Sequence, residues 1–254
     1  MRWLRFALVL LAAGAVVMLL MIQRLRGSGV TAVARGEEVA RRSGCFACHG
    51  AGGAGGIPDP GGENAIPGFN AESASRFIQG DAELEQWVLD GRPARLRDSP
   101  PAGDPLIAMP AYRSRLPPAQ WRDLRAWLRA AHALDAPPAG EKAARAGWEA
   151  ARDSGCFGCH GPSGHGLRRN PGSFAGYIPG WDSGASRDLA RDDAEVEEWI
   201  RNGKTSRVEK NAAARFFMKR QLIQTPPYDP TLSDEQVAAI VAYIRWMRAP
   251  VKTG

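Results

Sequence analysis

Two short stretches of this 254-residue chain gather the residue types that hold metals: Cys45-Phe-Ala-Cys48-His49-Gly50 and Cys156-Phe-Gly-Cys159-His160-Gly161. Between them they use all four cysteines and two of the four histidines. A Cys-x-x-Cys-His run is the pattern of covalent c-type haem attachment. Two thiols add to the two vinyl groups on one side of the porphyrin, and the adjacent imidazole reaches the iron as proximal ligand. Zinc is the competing reading, but a closed site needs a fourth ligand. No nearby donor recurs in both stretches, since His165 has no counterpart in the first. A thioredoxin-like dithiol would want a βαβ context, which is absent. The expected cofactors are therefore two covalently attached haems c. Cys45, Cys48, Cys156 and Cys159 are the expected attachment points, and His49 and His160 the expected iron ligands.

These stretches belong to a larger repeat. Gly36 and the first Cys motif recur as Gly147 and the second, Ile66-Pro67-Gly68-Phe69 as Ile178-Pro179-Gly180-Trp181, and Asp81–Trp87 as Asp193–Trp199. Pro110, Tyr112, Leu116 and Gln120 recur as Pro226, Tyr228, Leu232 and Gln236. A period this long is a domain duplication and not a solenoid. The Pro/Ala/Gly stretch 135–140 is the expected linker, which places one domain over 27–136 and the other over 137–254. Each half predicts a helix into the Cys motif (32–42, 141–153), a middle helix (81–89, 192–201) and a closing helix (118–131, 234–247). Ser233 with Gln236 gives the last helix a capping-box start, and Pro118 suits a first turn. No alternating strand pattern appears, so the expected fold class is all-α.

The whole resembles a membrane-anchored di-haem cytochrome c with two tandem class I domains. The resemblance covers roughly residues 32–250. It rests on the two Cys motifs and on Met109-Pro110-Ala111-Tyr112. It implies haems sandwiched between the Cys motif and a distal loop, with the first and last helices crossing at Gly36 and Gly147, beside the aligned aromatics Trp127 and Tyr243. It also implies Met109 as sixth ligand of the first haem. Pro110 biases Met109 towards extended backbone, and a thioether raises the haem potential; the alternative is a core methionine. In the second half Thr225 stands where methionine is expected. Its hydroxyl suits a low-spin iron poorly. The open possibilities are an accessible iron, Met218 on a short amphipathic segment seven residues earlier, or another residue.

Residues 6–22 are 17 consecutive apolar residues, roughly 26 Å as a helix and near the lower limit for crossing a bilayer. An uncleaved anchor over 1–26 is the expectation; a cleaved signal peptide with Ala32-Val33-Ala34 as its site is the alternative. Haem attachment of this kind occurs outside the cytoplasm, so both domains are expected on the periplasmic or outer face. The net charge of +6 invites nucleic acid as a partner. Yet four arginines lie within residues 1–26 with no acid, leaving +2 for the rest. No nucleic-acid partner is expected.

The run from Lys204 to Lys210, with Arg215, Lys219 and Arg220, is a candidate basic patch for an acidic redox partner. Trp87 and Trp199 are expected to pack against haem or core, with a propionate as one possible partner of the indole N–H, and His132 is expected as a structural residue whose partly positive ring suits a helix end; His165 is expected as a solvated loop histidine, with a distal or propionate contact the alternative. The expected function is single-electron transfer between redox proteins or within a respiratory complex. The alternative is a small haem enzyme, peroxidase-like or a small-ligand reductase, with an open second iron.

Overall fold

The computed structural model describes residues 14, 16–18, 30–60, 65–98, 107–166 and 168–250. The expected N-terminal anchor falls almost wholly outside these residues. Among the described residues no helix is long and apolar enough to cross a membrane. They form helices, with two isolated antiparallel bridges, Ile57–Ile66 and Arg169–Tyr177, at matching places after each Cys motif. The chain divides into two compact units. Thr31–Arg145 with Gly161–His165 make one, and Ala146–His160 with Gly166–Gly254 belong to the other. Pro137, inside the expected linker, is fully buried.

The first unit runs α1 (Ala32–Arg42), α2 (Cys45–His49), α3 (Ala71–Phe77), α4 (Asp81–Asp90) and α5 (Pro118–Ala131). Thr31 caps α1 by accepting the Ala34 N–H, and Asn70 caps α3 by accepting that of Ser73. The second unit runs α6 (Lys142–Asp153), α7 (Cys156–His160), α8 (Gly184–Leu189), α9 (Asp193–Asn202), α10 (Ser206–Lys210), α11 (Ala212–Arg220) and α12 (Asp234–Arg248). The expected capping box is present: Ser233 Oγ accepts the Gln236 N–H, and Gln236 Oε1 accepts the Ser233 N–H at 2.9 Å. Helices α3, α8 and α10 were not foreseen. Each spans two turns or fewer, too short for a hydrophobic period to register. Their side-chain caps (Asn70, Ser183 and Thr205) carry the local signal.

Both units are organised by a close helix crossing. In the first, a Cβ on Gly36 would lie 2.0 Å from the Asp123 carbonyl oxygen of α5 and 2.7 Å from Trp127 Cβ. In the second, a Cβ on Gly147 would lie 1.9 Å from the Ala239 oxygen of α12 and 2.8 Å from Tyr243 Cβ. The two glycines therefore bring backbone against backbone at equivalent points, as the resemblance implied. Trp127 and Tyr243 are buried there. The expected 3–4 spacing becomes the inner face of each closing helix: Leu124 and Leu128 on α5, and Val237, Ile240, Val241 and Ile244 on α12. Leu84 and Val88 of α4 join the first core, and Val196 of α9 is buried in the second unit.

Candidate functional site

Each Cys motif forms a one-turn helix closed by a glycine in a conformation that disfavours side chains, Gly50 at φ 79° and Gly161 at φ 74°. The tight exit turns the chain back on itself: the Gly55 N–H donates to His49 O at 2.7 Å, and the Gly166 N–H to His160 O. None of the four cysteines is joined in a disulfide, and Cys159 is exposed. Burial pushes the Cys45 thiol up and that of Cys156 to about 11.

Both histidines are oriented in one way. His49 Nδ1 lies 2.8 Å from Pro67 O, and His160 Nδ1 lies 3.2 Å from Pro179 O. A carbonyl only accepts, so Nδ1 carries the proton and the Nε2 lone pair is left for a metal. A ring packs beside each imidazole, Phe69 at 4.4 Å from His49 and Trp181 at 4.8 Å from His160. Burial lowers both imidazole pKa values, that of His160 to about 4, so both rings are neutral.

The distal loops hang on the middle helices by matched bonds. In the first unit Tyr112 N donates to Val88 O and Arg113 N to Leu89 O, each at 3.1 Å. In the second Tyr228 N donates to Ile200 O at 3.1 Å and Asp229 N to Arg201 O at 3.2 Å. Gly91 faces the Met109 carbonyl oxygen, and Gly203 faces that of Thr225. Thr225 therefore occupies the backbone place of Met109, as the alignment required. Its hydroxyl accepts the Trp199 indole N–H at 3.2 Å. The Trp87 indole donates to Phe77 O at 2.8 Å. Both indole N–H groups thus have protein partners.

In the second unit Cys156, Cys159 and His160 line a cavity of about 570 Å³ that Met218 and Thr225 also line. Its size lies within the range for sites that enclose a cofactor. Helix α11 carries Met218 and Phe217 into this lining, and Phe174 meets Phe217 edge-on at 5.2 Å. Asn170, buried and missed at the sequence level, clamps the distal loop from both sides. Its amide donates to Ile223 O and accepts the Ile223 N–H, both at 2.8 Å.

Three further expectations change. His132 is buried and lies 3.1 Å from Asn70 O through Nδ1; burial lowers its pKa, so it is a neutral packing residue and carries no partial charge for the helix dipole. His165 is taken up by Asp135, 3.0 Å from Nε2. The basic run is partly neutralised where it stands: Lys204 pairs with Glu209 at 2.6 Å and Arg207 with Glu195 at 2.6 Å. Lys219 and Arg220 remain as exposed cations on α11.

The profile of one family, Cytochrome c, matches residues 33–132 and again 144–248, one match for each half of the repeat. The chain belongs to the cytochrome c family. This cytochrome has two cytochrome c domains, and membership implies electron transfer through covalently bound haem c. No curated protein and no solved structure matches it.

Proposed function

We propose that this cytochrome is a membrane-tethered di-haem carrier that passes single electrons on the outer face of the cytoplasmic membrane. The observation that carries the reading is the pair of imidazoles, each fixed through Nδ1 by a proline carbonyl, in a Cys-x-x-Cys-His motif whose cysteines form no disulfide. Cys45 and Cys48 would hold one haem with His49 and Met109 as iron ligands. Cys156 and Cys159 would hold the other with His160. Bound haem supplies the one-electron Fe(III)/Fe(II) couple. The chain fixes each imidazole, screens the ring with apolar walls and sets the distal ligand. No side chain needs to move or trade a proton, so transfer is outer-sphere. The tether rests on the apolar run 6–22, and the redox partner would be another protein of a respiratory chain.

Intact mass of the exported protein tests the cofactor count: two haem additions are expected, and one after Cys156→Ala with Cys159→Ala. Fractionation of the full chain against one lacking residues 1–26 tests the tether, with loss from the membrane fraction expected. A redox titration should give one-electron steps.

Thr225 favours a second reading for the second haem. A hydroxyl already engaged by Trp199 stands at the backbone place that Met109 holds in the first unit. That iron would be accessible to CO, NO or peroxide, with Met218 the competing ligand from the same cavity wall. Carbon monoxide added to the reduced protein decides between them. Binding at half the haems supports an open iron; binding at none means a strong sixth ligand at both. Steady peroxide turnover with a reduced donor would make the protein an enzyme and not a carrier.

A further inference from the structure

Arg248, in the last turn of α12, lines the same cavity as His160. Its Nε donates to Trp181 O at 3.2 Å and its Nη1 to Ala190 O at 2.9 Å. Its Nη2 donates to Ser186 O at 3.3 Å and to Ser186 Oγ at 2.9 Å. A guanidinium has five N–H donors and its charge is permanent. These four bonds leave at least one N–H, on Nη1, and every acceptor is neutral. Among the described residues no carboxylate forms an ion pair with Arg248, whereas Arg35, Arg201 and Arg207 on other helices each have one. The nearest charges do not supply a partner. Arg187 donates to the Arg248 carbonyl and repels the guanidinium, and Asp193 is paired with Arg245 at 2.7 Å. Asp188 lines the cavity without bonding to Arg248. Desolvation, and then the Arg187 charge, pull the Arg248 pKa down by more than the Asp193 carboxylate raises it. The first unit differs at this place. The offset that relates Pro110 to Pro226 relates His132 to Arg248, and His132 is neutral.

Haem seated in this cavity brings two propionates, and a carboxylate partner is what Arg248 lacks among its hydrogen bonds. We propose that Arg248 binds a propionate of the haem in the second domain, a charge partner that the first domain lacks at the equivalent position. The neutral carbonyls would hold the guanidinium in one orientation, and the spare N–H would donate to the carboxylate. The inference rests on haem attachment at Cys156 and Cys159. Its failure is separable, because loss of that haem shows as a missing mass addition and the tests below use protein carrying both.

The test is a redox titration of the holoprotein that resolves the two haems, repeated across pH. In the wild type a propionate paired with Arg248 stays ionised, so the potential of the second haem should be flat between about pH 5 and 8. In Arg248→Gln the released propionate titrates within that range. Ionisation favours Fe(III), so the potential of the second haem should sit lower than wild type and fall as pH rises. The first haem should not change. Arg248→Lys should restore the flat profile by keeping the charge. The proposal is overturned if the wild-type potential of the second haem already falls with pH over this range. It is equally overturned if Arg248→Gln leaves potential and profile unchanged.

Discussion

Replacing Gly147 by alanine adds one methyl group at the point where α6 meets α12, and the geometry sets the consequence. The new Cβ would lie 1.9 Å from the Ala239 oxygen, 2.5 Å from the Ala239 carbonyl carbon and 2.8 Å from Tyr243 Cβ. None of these atoms belongs to a side-chain end that can swing away. To recover an ordinary contact near 3.4 Å, the helices must part by about 1.5 Å. A gap of even 1 Å forfeits up to half of each dispersion well across it, and overpacking of this kind costs about 1–3 kcal/mol, here at the upper end. Alanine recovers about 1 kcal/mol of helix propensity. The net loss is about 2 kcal/mol, or roughly 10 °C in melting temperature for a unit of this size. Calorimetry of the holoprotein, with helicity followed by circular dichroism, measures it. Gly140→Ala is the control, because a Cβ there meets nothing within 4 Å. Gly36→Ala should lower the transition of the first unit instead, its Cβ lying 2.0 Å from the Asp123 oxygen. Gly147→Ala melting together with wild type and Gly140→Ala would falsify the backbone-contact account of the crossing.

Thr225→Met should convert the second haem to methionine ligation: its potential rises, and the fraction of haem that binds CO falls to zero. Met109→Ala should open the first haem, lowering its potential and doubling CO uptake relative to a wild type that binds at half its sites. Asn170→Ala strands the Ile223 N–H and C=O, so the second unit should lose about 2 kcal/mol in urea unfolding, and CO should enter its haem faster. Arg207 holds the Glu195 carboxyl down at about 2, so the pair stabilises the native state above the unfolded carboxyl pKa, near 4.5, and loses that contribution as pH falls towards 2. Glu195→Gln should therefore cost up to about 1 kcal/mol at pH 7, and its deficit should vanish in acid.

The sequence is most legible where chemistry and period coincide. The Cys motifs state their purpose in five residues, and the closing helices carry a buried stripe long enough to read, as Val237, Ile240, Val241 and Ile244 show. Thr225 is legible because the repeat supplies its own reference, with Tyr228 and Leu232 fixing the register. The rest fails for identifiable reasons. Helices α3, α8 and α10 are held by caps and tertiary contacts and not by periodicity. The indole N–H groups have backbone and hydroxyl partners that become neighbours only after folding. Asn170 looks like any loop asparagine until the chain brings Ile223 to it, 53 residues later. Arg248 has the same character: in the sequence it is one more cation in a last helical turn, and burial in the cavity gives it a different role. His132 shows the converse, a helix-end histidine whose charge is removed by its surroundings.

The matched bonds from Tyr112 and Arg113 to α4, and from Tyr228 and Asp229 to α9, have a consequence for how such a chain diverges after duplication. They involve backbone atoms, so they hold the distal loop whatever side chain stands three positions before the tyrosine. The ligand position is thus uncoupled from the fold that presents it. One copy can carry threonine and the other methionine at this place while both loops keep the same backbone bonds. A duplicated gene of this kind can acquire two unequal redox centres through single substitutions at one site, each selectable for its potential alone.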